Sequence, residues 1–238
     1  MKRILFISIF LILQSFSTAH AMHIMEGFLP LHWAVFYFAL CIPIIILGVR
    51  KITKLIKADN EVKLMLALCG AYIFLLSALK LPSITGSSSH PTGVGLSAIL
   101  FGPLVSSVLS MIVLFFQAVF LAHGGITTLG ANTFSMGIVG PFAAYFTFKL
   151  LKQKNLKMAV FVSAMIGDLL TYVTTALQLS IAFPGKAGGI LESFIKFSAI
   201  FAITQIPLAI IEGLVTVIIY DYIQRYFSNG IELGGEKI

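Results

Sequence analysis

Two adjacent residues near the amino terminus, Met22 and His23, would form a metal chelate if the chain were cut directly in front of them. A free terminal amine, the backbone nitrogen of the second residue and the Nδ1 atom of its imidazole can close fused rings around one ion. A fourth nitrogen from another imidazole would complete a plane, which suits Ni(II), Cu(II) and Co(II). Because the backbone amide must lose its proton, such a site should bind more weakly as the pH falls.

The segment in front of Met22 has the features of a signal peptide. Two basic residues and a run of apolar residues occupy the first part of 1–21, and the segment ends with Ala19, His20 and Ala21. These are the charged region, the apolar region and the small-x-small cleavage signal of a secretory leader. We therefore predict cleavage after Ala21 and a mature chain that begins with a chelating pair.

Further histidines are candidates for completing this site. His90 lies in the polar stretch 87–93 and is the best candidate for the fourth nitrogen, whereas His32 is more typical of a polar residue at a membrane interface. No cysteine lies near these residues, which argues against a tetrahedral thiolate zinc site. A histidine close to a new amino terminus also occurs in many secreted chains without a metal, so both interpretations are open at this point.

The composition places these residues in an integral membrane protein. Hydrophobic residues make up 58% of the chain and charged residues 11%, which is too little polar surface to coat a soluble globule. The formal charge of +7 falls in short blocks between apolar segments, unlike the basic surface of a nucleic-acid-binding protein. Cys41 and Cys69 lie within apolar segments and are predicted to be buried free thiols.

Apolar segments of about 17–25 residues, the length that crosses a bilayer as a helix, predict an all-α bundle. The candidate spans are 31–49, 64–80, 131–150, 158–180 and 196–222. The remaining stretch 93–122 is long for one crossing and short for two, and Gly102 and Pro103 interrupt it. It either crosses twice or forms a re-entrant pair.

Basic residues predict the orientation of the bundle. They cluster around 50–63 and 149–157, and another follows the last span, so the positive-inside rule places all three groups in the cytoplasm. A cleaved amino terminus lies outside. Both conditions hold only if 93–122 contributes two segments, which makes about seven transmembrane helices with the carboxyl terminus inside. The transmembrane domain is then 22–227, followed by a flexible cytoplasmic tail over 228–238.

This orientation brings the candidate ligands to one face. The mature amino terminus with His23 and the loops 81–92 and 123–130, which carry His90 and His123, all lie outside. The sequence thus predicts that His90 occupies a polar turn on the outer face.

Three motifs resemble those of a known family. MHIMEGFLP at 22–30, SHPTG at 89–93 and AHGGITTLGAN at 122–132 are similar, in this order, to motifs of the CbiM family. These proteins are the substrate-capture (S) subunits of energy-coupling-factor (ECF) importers for cobalt, with close relatives for nickel. The resemblance extends to about residue 222. It implies an ECF S-component-like fold in the inner (plasma) membrane of a bacterium.

The resemblance also implies a substrate and a site. Co(II), or alternatively Ni(II), would be captured on the extracytoplasmic face, with cobalt serving cobalamin biosynthesis. The implied ligands are the amine of Met22, the backbone nitrogen and imidazole of His23, and the imidazole of His90. The implied supporting residue is His123, and the candidates beside it are Glu26, Ser89, Thr92 and Asn132. One of the last three would accept the free N–H of a ligating imidazole, and Glu26 would either offset the charge of the ion or anchor the amino terminus.

The implied partners are a small membrane subunit, a transmembrane coupling (T) subunit and two cytoplasmic ATPase subunits. The chain itself contains no G-x-x-x-x-G-K-[ST] motif, so ATP hydrolysis would belong to the partners and this chain would not be an enzyme. Beyond the transported ion and membrane lipid, the resemblance implies no prosthetic group and no nucleic acid.

Two acidic residues fall within predicted spans. Asp168 shares a helix face with three hydroxyl-bearing residues, and Glu212 shares one with Gln205, seven positions earlier. Carboxylates inside a membrane are costly and usually face the bundle interior. We expect either a role in ion passage or hydrogen-bonded contacts between helices.

Two other functions have less support in the sequence. An intramembrane hydrolase would combine a histidine, a carboxylate and a metal, but the sequence has no H-E-x-x-H motif. A capture subunit for an organic vitamin would need aromatic and hydrogen-bonding walls. The 21 phenylalanines supply apolar surface, but without a recognisable polar pattern.

Overall fold

The computed structural model describes residues 20–21, 23–82 and 87–227, which are mostly helical. The helices of the first half are α1 (Leu31–Ala58), α2 (Val62–Ala78), α3 (Val94–Phe101) and α4 (Pro103–Leu121). In the second half, α5 (Leu129–Asn132), a π-helical segment (Thr133–Val139) and α6 (Gly140–Leu151) form one continuous helix, followed by α7 (Leu156–Ala182) and α8 (Gly189–Phe227). Three short strands, β1 (His20–Ala21), β2 (Leu81–Pro82) and β3 (Ser87–Ser89), form a small sheet in which β3 is central, parallel to β1 and antiparallel to β2.

Five of the described helices are long and apolar enough to cross a membrane, namely α1, α4, the continuous α5–α6 helix, α7 and α8. Helix α2 is apolar but shorter, with 17 residues, and α3 has only 8. A helix of that length extends about 12 Å, less than half of the roughly 30 Å hydrocarbon core. The predicted helical membrane bundle is confirmed. The sequence predicts about seven transmembrane helices, whereas five of the seven described helices are long enough to cross, and α3 is a half-helix.

The interrupted stretch 93–122 folds as the hairpin of α3 and α4. Gly102 between them has a φ of +86°, which glycine adopts without strain, and Pro103 begins α4, where its missing N–H leaves no hydrogen bond unmade. The Oγ atoms of Ser97 and Ser106 lie 2.6 Å apart and join the two helices. Of the two predicted alternatives, the short α3 favours a re-entrant pair over two full crossings.

The chain in front of α3 returns into the bundle. Gly93 packs so closely against α2 that an added Cβ would lie 3.0 Å from the Cα of Ile73. Irregular backbone at this depth must find its hydrogen-bond partners within the protein. The buried carboxylate of Glu212 in α8 supplies them, because it accepts the N–H groups of Thr92 and Gly93 and the hydroxyl of Thr92.

Glu212 therefore holds the beginning of α3 from another helix. The unpaired N–H groups and the dipole at a helix amino terminus favour a negative group at this position. This is the hydrogen-bonded contact between helices that the sequence predicts as one of two roles for Glu212.

One end of the bundle collects basic residues from different helices. Lys51 of α1 donates a 2.8 Å hydrogen bond from Nζ to the carbonyl of Phe101, at the end of α3. Tyr145 of α6 lies beside the neighbouring Gly102, and Lys149 lies over the ring of Tyr145. These contacts place two of the predicted cytoplasmic clusters together.

The predicted leader and tail lie outside the described residues, except for the two residues of β1. Both boundaries remain predictions. Cys41 and Cys69 are buried and free, as predicted.

Candidate metal centre

Three imidazoles from three separate segments meet inside the bundle. His23 precedes α1, His90 lies in the loop before α3, and His123 lies in the turn after α4. The Nε2 atom of His90 lies 3.0 Å from Nδ1 of His23 and 3.0 Å from Nε2 of His123. One nitrogen from each ring falls within 4.8 Å of the others. We call these three side chains the histidine cluster.

The sequence predicts that His90 lies in a polar turn on the outer face, and the structure shows that this residue is 0% exposed. The polar composition of 87–93 does not by itself show whether water or other helices supply its hydrogen bonds. In the structure, polar groups of other helices satisfy this segment, so it can lie inside the bundle.

The orientation of His90 follows from a hydrogen bond within its own loop. Its Nδ1 lies 2.9 Å from the carbonyl oxygen of Pro91, which can only accept, so Nδ1 carries the proton. The neutral ring therefore turns an unprotonated Nε2 toward the other two imidazoles. This fixed tautomer is typical of a metal-ligating histidine.

His23 is positioned by the residue that follows it. The side-chain amide of Asn132 accepts the N–H of Ile24 at 2.8 Å and donates to its carbonyl at 3.0 Å, and the hydroxyl of Thr128 donates to the same carbonyl at 2.6 Å. Ile24 and Leu29 are buried in one apolar cluster with residues of α1, α7 and α8. The segment before α1 is thus held by hydrogen bonds to its main chain and by burial of its apolar side chains. In this position Nδ1 of His23 is directed at His90.

The turn that carries His123 also holds the amino-terminal segment. The carboxylate of Glu26 accepts the backbone N–H of Thr127 at 3.2 Å, and the N–H of Gly27 donates to the Thr127 hydroxyl at 3.0 Å. Gly125 lies so close that an added Cβ would be 2.4 Å from the Cα of Glu26. Of the two predicted roles for Glu26, these contacts match anchoring of the segment.

The other supporting candidates contact backbone or α8, and in the described part of the chain none bonds to an imidazole. Oγ of Ser89 lies 2.7 Å from Oγ1 of Thr204, and Thr92 bonds to Glu212. Asn132 holds the main chain next to His23. Met22, the remaining predicted ligand, lies outside the described residues.

Burial keeps the histidine cluster neutral. It lowers the pKa of all three imidazoles, to about 4 for His90, and the neighbouring imidazoles lower the pKa of His23 and His123 further. Hydrogen bonds from Thr127 hold the pKa of Glu26 below its usual range, so this anchoring group is ionised. Near neutral pH the cluster therefore presents nitrogen lone pairs without losing protons from the rings.

Sequence reasoning missed several residues that hold this arrangement. The sequence places Tyr172 only among the hydroxyl-bearing residues that share a helix face with Asp168, yet its hydroxyl contacts the backbone of His90. Thr127 and Thr128 belong to the third motif, in which nothing in the sequence distinguishes them from their neighbours. The available signal was the run of polar residues along α7, which had to face something inside the bundle.

The fold and the cluster together define a multi-pass membrane protein with a buried set of neutral imidazoles. The model of the CbiM family, described as the cobalt uptake substrate-specific transmembrane region, matches residues 23–229. The chain belongs to the CbiM family, as the three motifs predict.

Curated relatives match over nearly their whole length. The chain is 55% identical to a cobalt transport protein of Nostoc sp., with 95% of this chain and 88% of the relative covered. It is 57% identical to one from Acetoanaerobium sticklandii, with 97% of each covered. A third, from Desulforamulus reducens, is 58% identical, and the match covers 88% of this chain and 84% of the relative.

Two solved structures share the fold. A transition metal transporter superposes with a TM-score of 0.75 at 24% identity, covering 87% of this chain and 94% of its own. A truncated transition metal transporter superposes with a TM-score of 0.74 at 23% identity, covering 86% and 99%. At this identity the likeness concerns the architecture.

Proposed function

We propose that this chain is the substrate-binding membrane subunit of an ATP-driven ECF-type importer and captures Co(II) at the extracytoplasmic face. The observation that carries the proposal is the histidine cluster, in which Nε2 of His90 lies 3.0 Å from a nitrogen of each neighbour. An unprotonated Nε2 of His90 and Nδ1 of His23 at this separation can bind one shared cation. The relatives described as cobalt transport proteins support cobalt as the cargo.

The proposed ligands are the amine of Met22, the backbone nitrogen and Nδ1 of His23, and Nε2 of His90. The direction of the His23 ring supports this set, because a chelate that includes the terminal amine and the second amide uses Nδ1 and not Nε2. Nε2 of His123 lies 3.0 Å from Nε2 of His90, and His123 would support the site from beside the ion. Copper would bind such nitrogens more tightly than cobalt does, so selectivity against copper must come from geometry or from supply.

The site requires cleavage after Ala21, which leaves 22–227 as the transmembrane domain and 228–238 as a cytoplasmic tail. The mature amino terminus would lie outside and the carboxyl terminus inside. The contacts of Lys51 and Lys149 near Gly102 support a common cytoplasmic end for these basic residues.

The chain would act as a transport protein and not as an enzyme. A buried ion bound by several nitrogens leaves slowly unless the bundle is distorted. We therefore assign the driving force to partners, namely a small membrane subunit, a coupling subunit and two ATPases. The imported cobalt would serve cobalamin biosynthesis.

Nickel is the second candidate, because a planar set of nitrogens suits Ni(II) as well. An organic vitamin fits less well. The space beside His23, lined by Asn132, Ser135, Met136, Thr171 and Thr175, is too small to hold even a water molecule. Pockets for small organic ligands usually measure roughly 300–1,000 Å³.

An equilibrium binding screen tests the proposal. The mature chain, purified without partners, is titrated with Co(II), Ni(II), Zn(II) and a panel of vitamins, and native mass spectrometry reports its first residue and any bound ion. We expect a chain beginning at Met22 with one Co(II) or Ni(II) and no affinity for vitamins. A chain that binds a vitamin, or that retains no metal, contradicts the proposal.

A further inference from the structure

The main chain of His90 is irregular and lies inside the bundle, where one side chain of α7 serves both of its polar groups. The hydroxyl of Tyr172 accepts the N–H of His90 at 3.1 Å and donates to its carbonyl at 2.6 Å. A hydroxyl can do both at once. Without it, two backbone groups at membrane depth would lose a partner that they cannot find in lipid.

The ring of His90 follows its own main chain. Because Nδ1 donates to the carbonyl of the next residue, Pro91, the imidazole is tied to the backbone that carries it. A displacement of this backbone therefore displaces Nε2, the atom that faces His23 and His123. The Tyr172 hydroxyl thus acts on the position of Nε2 although it does not contact the histidine cluster.

Tyr172 is itself held firmly. Its side chain is buried and its ring packs edge-on against Phe201 of α8, with centroids 6.0 Å apart. Beside it, Nε2 of Gln205 donates to the carbonyl of His90 at 3.3 Å and also to a carboxylate oxygen of Asp168. Asp168 lies one turn before Tyr172 on α7. The network ties the loop of His90 to two packed helices.

We propose that Tyr172 is a positioning residue for the metal ligand His90 and that its hydroxyl sets both the affinity and the coordination geometry of the bound ion. Gln205 assists through its longer hydrogen bond to the same carbonyl. Asp168 keeps the Gln205 amide turned toward that carbonyl. The inference rests on the proposed function, because it presupposes that His90 binds the ion.

The test compares Tyr172→Phe with the wild-type mature chain. The substitution keeps the packed ring and removes both hydrogen bonds to His90. Each protein is titrated with Co(II) alone, and the visible absorption and electron paramagnetic resonance spectra of the bound ion are recorded. We expect about 10–100-fold weaker binding, the range for residues that orient a metal ligand, together with an altered spectrum.

The matched control is Tyr220→Phe. Tyr220 is also a buried tyrosine whose hydroxyl is hydrogen-bonded, in this case by Nε2 of Gln224 at 3.0 Å, and it packs against Phe148 away from the histidine cluster. Its removal should leave the affinity for Co(II) within about threefold and the spectrum unchanged. If the role of Tyr172 were merely structural, Tyr172→Phe and Tyr220→Phe would lower the melting temperature alike. The spectrum of the bound Co(II) would then be unchanged in both variants.

The outcomes separate the two proposals. A wild-type chain that binds no Co(II) overturns the proposed function and this inference with it. A wild-type chain that binds, alongside a Tyr172→Phe variant with the affinity and spectrum of the control, overturns the inference alone. If Tyr172→Phe does not fold, Gln205→Met tests the inference in its place by the same Co(II) titration. It should weaken binding severalfold, and an unchanged affinity overturns the inference.

Discussion

Replacing His90 with glutamine is expected to weaken Co(II) binding at least about 100-fold, which corresponds to about 2.7 kcal/mol. The other three proposed nitrogens all belong to Met22 and His23, so His90 is the one proposed ligand from outside this amino-terminal pair. Glutamine keeps much of the volume but has no imidazole lone pair. The affinity of the purified mature variant for Co(II), measured by calorimetric titration, checks this expectation.

His32→Gln provides the control for this substitution. His32 is exposed, packs beside Trp33 at the beginning of α1 and lies outside the histidine cluster. Its variant should bind Co(II) as the wild type does. Equal affinities for the His90 and His32 variants would remove His90 from the site.

Replacing Gly125 with alanine is expected to weaken binding about 10–100-fold without touching a proposed ligand. The new Cβ would lie 2.4 Å from the Cα of Glu26 and 2.7 Å from its backbone nitrogen. Because both are backbone atoms, the amino-terminal segment must shift as a whole. His23 lies three residues earlier in this segment, and a binding site tolerates displacements of only about 0.5 Å.

Gly70→Ala is the matched control for this prediction. Gly70 lies within α2, and the nearest atom to its added Cβ is Cδ2 of Leu109 at 4.0 Å, an ordinary contact. Alanine also favours a helix over glycine. Calorimetric titration with Co(II) should show wild-type affinity for Gly70→Ala and a clear loss for Gly125→Ala, and equal affinities would show that the close approach of Gly125 does not position the segment.

The sequence predicts the membrane class, the family and the three histidines because each depends on local signals. Long apolar runs identify helices in a bilayer whatever their partners are. The break at Gly102 is equally local, since glycine and proline act on the backbone at their own positions. The motifs carry His23, His90 and His123 within a few residues of recognisable neighbours.

The depth of His90 does not follow from local signals. Its loop lies inside the bundle because Tyr172 and Glu212 supply hydrogen bonds from positions 82 and 120 residues away in the sequence. Pairings of that range have no local pattern. Because the partners of Asp168 and Glu212 are also distant in the sequence, the sequence does not decide between their two predicted roles. For the same reason, only the structure connects Tyr172 with the histidine cluster.

The boundaries of the last helix show a second limit of prediction from the sequence. The apolar run predicts a span over 196–222, whereas α8 extends over Gly189–Phe227. Its first turn contains Glu192, which pairs with Lys196 four positions later. Such an i,i+4 pair stabilises a helix but lowers the apolar average by which a span is recognised.

The most direct test of the central claim, that a new terminal amine and the imidazoles of His23 and His90 bind the ion together, is Co(II) titration of two purified forms. One begins at Met22, and the other carries a single additional alanine in front of it, which removes the amine from its chelating position while leaving every side chain in place. The account predicts that the extended form binds at least about 100-fold more weakly. Equal affinities of the two forms would contradict it.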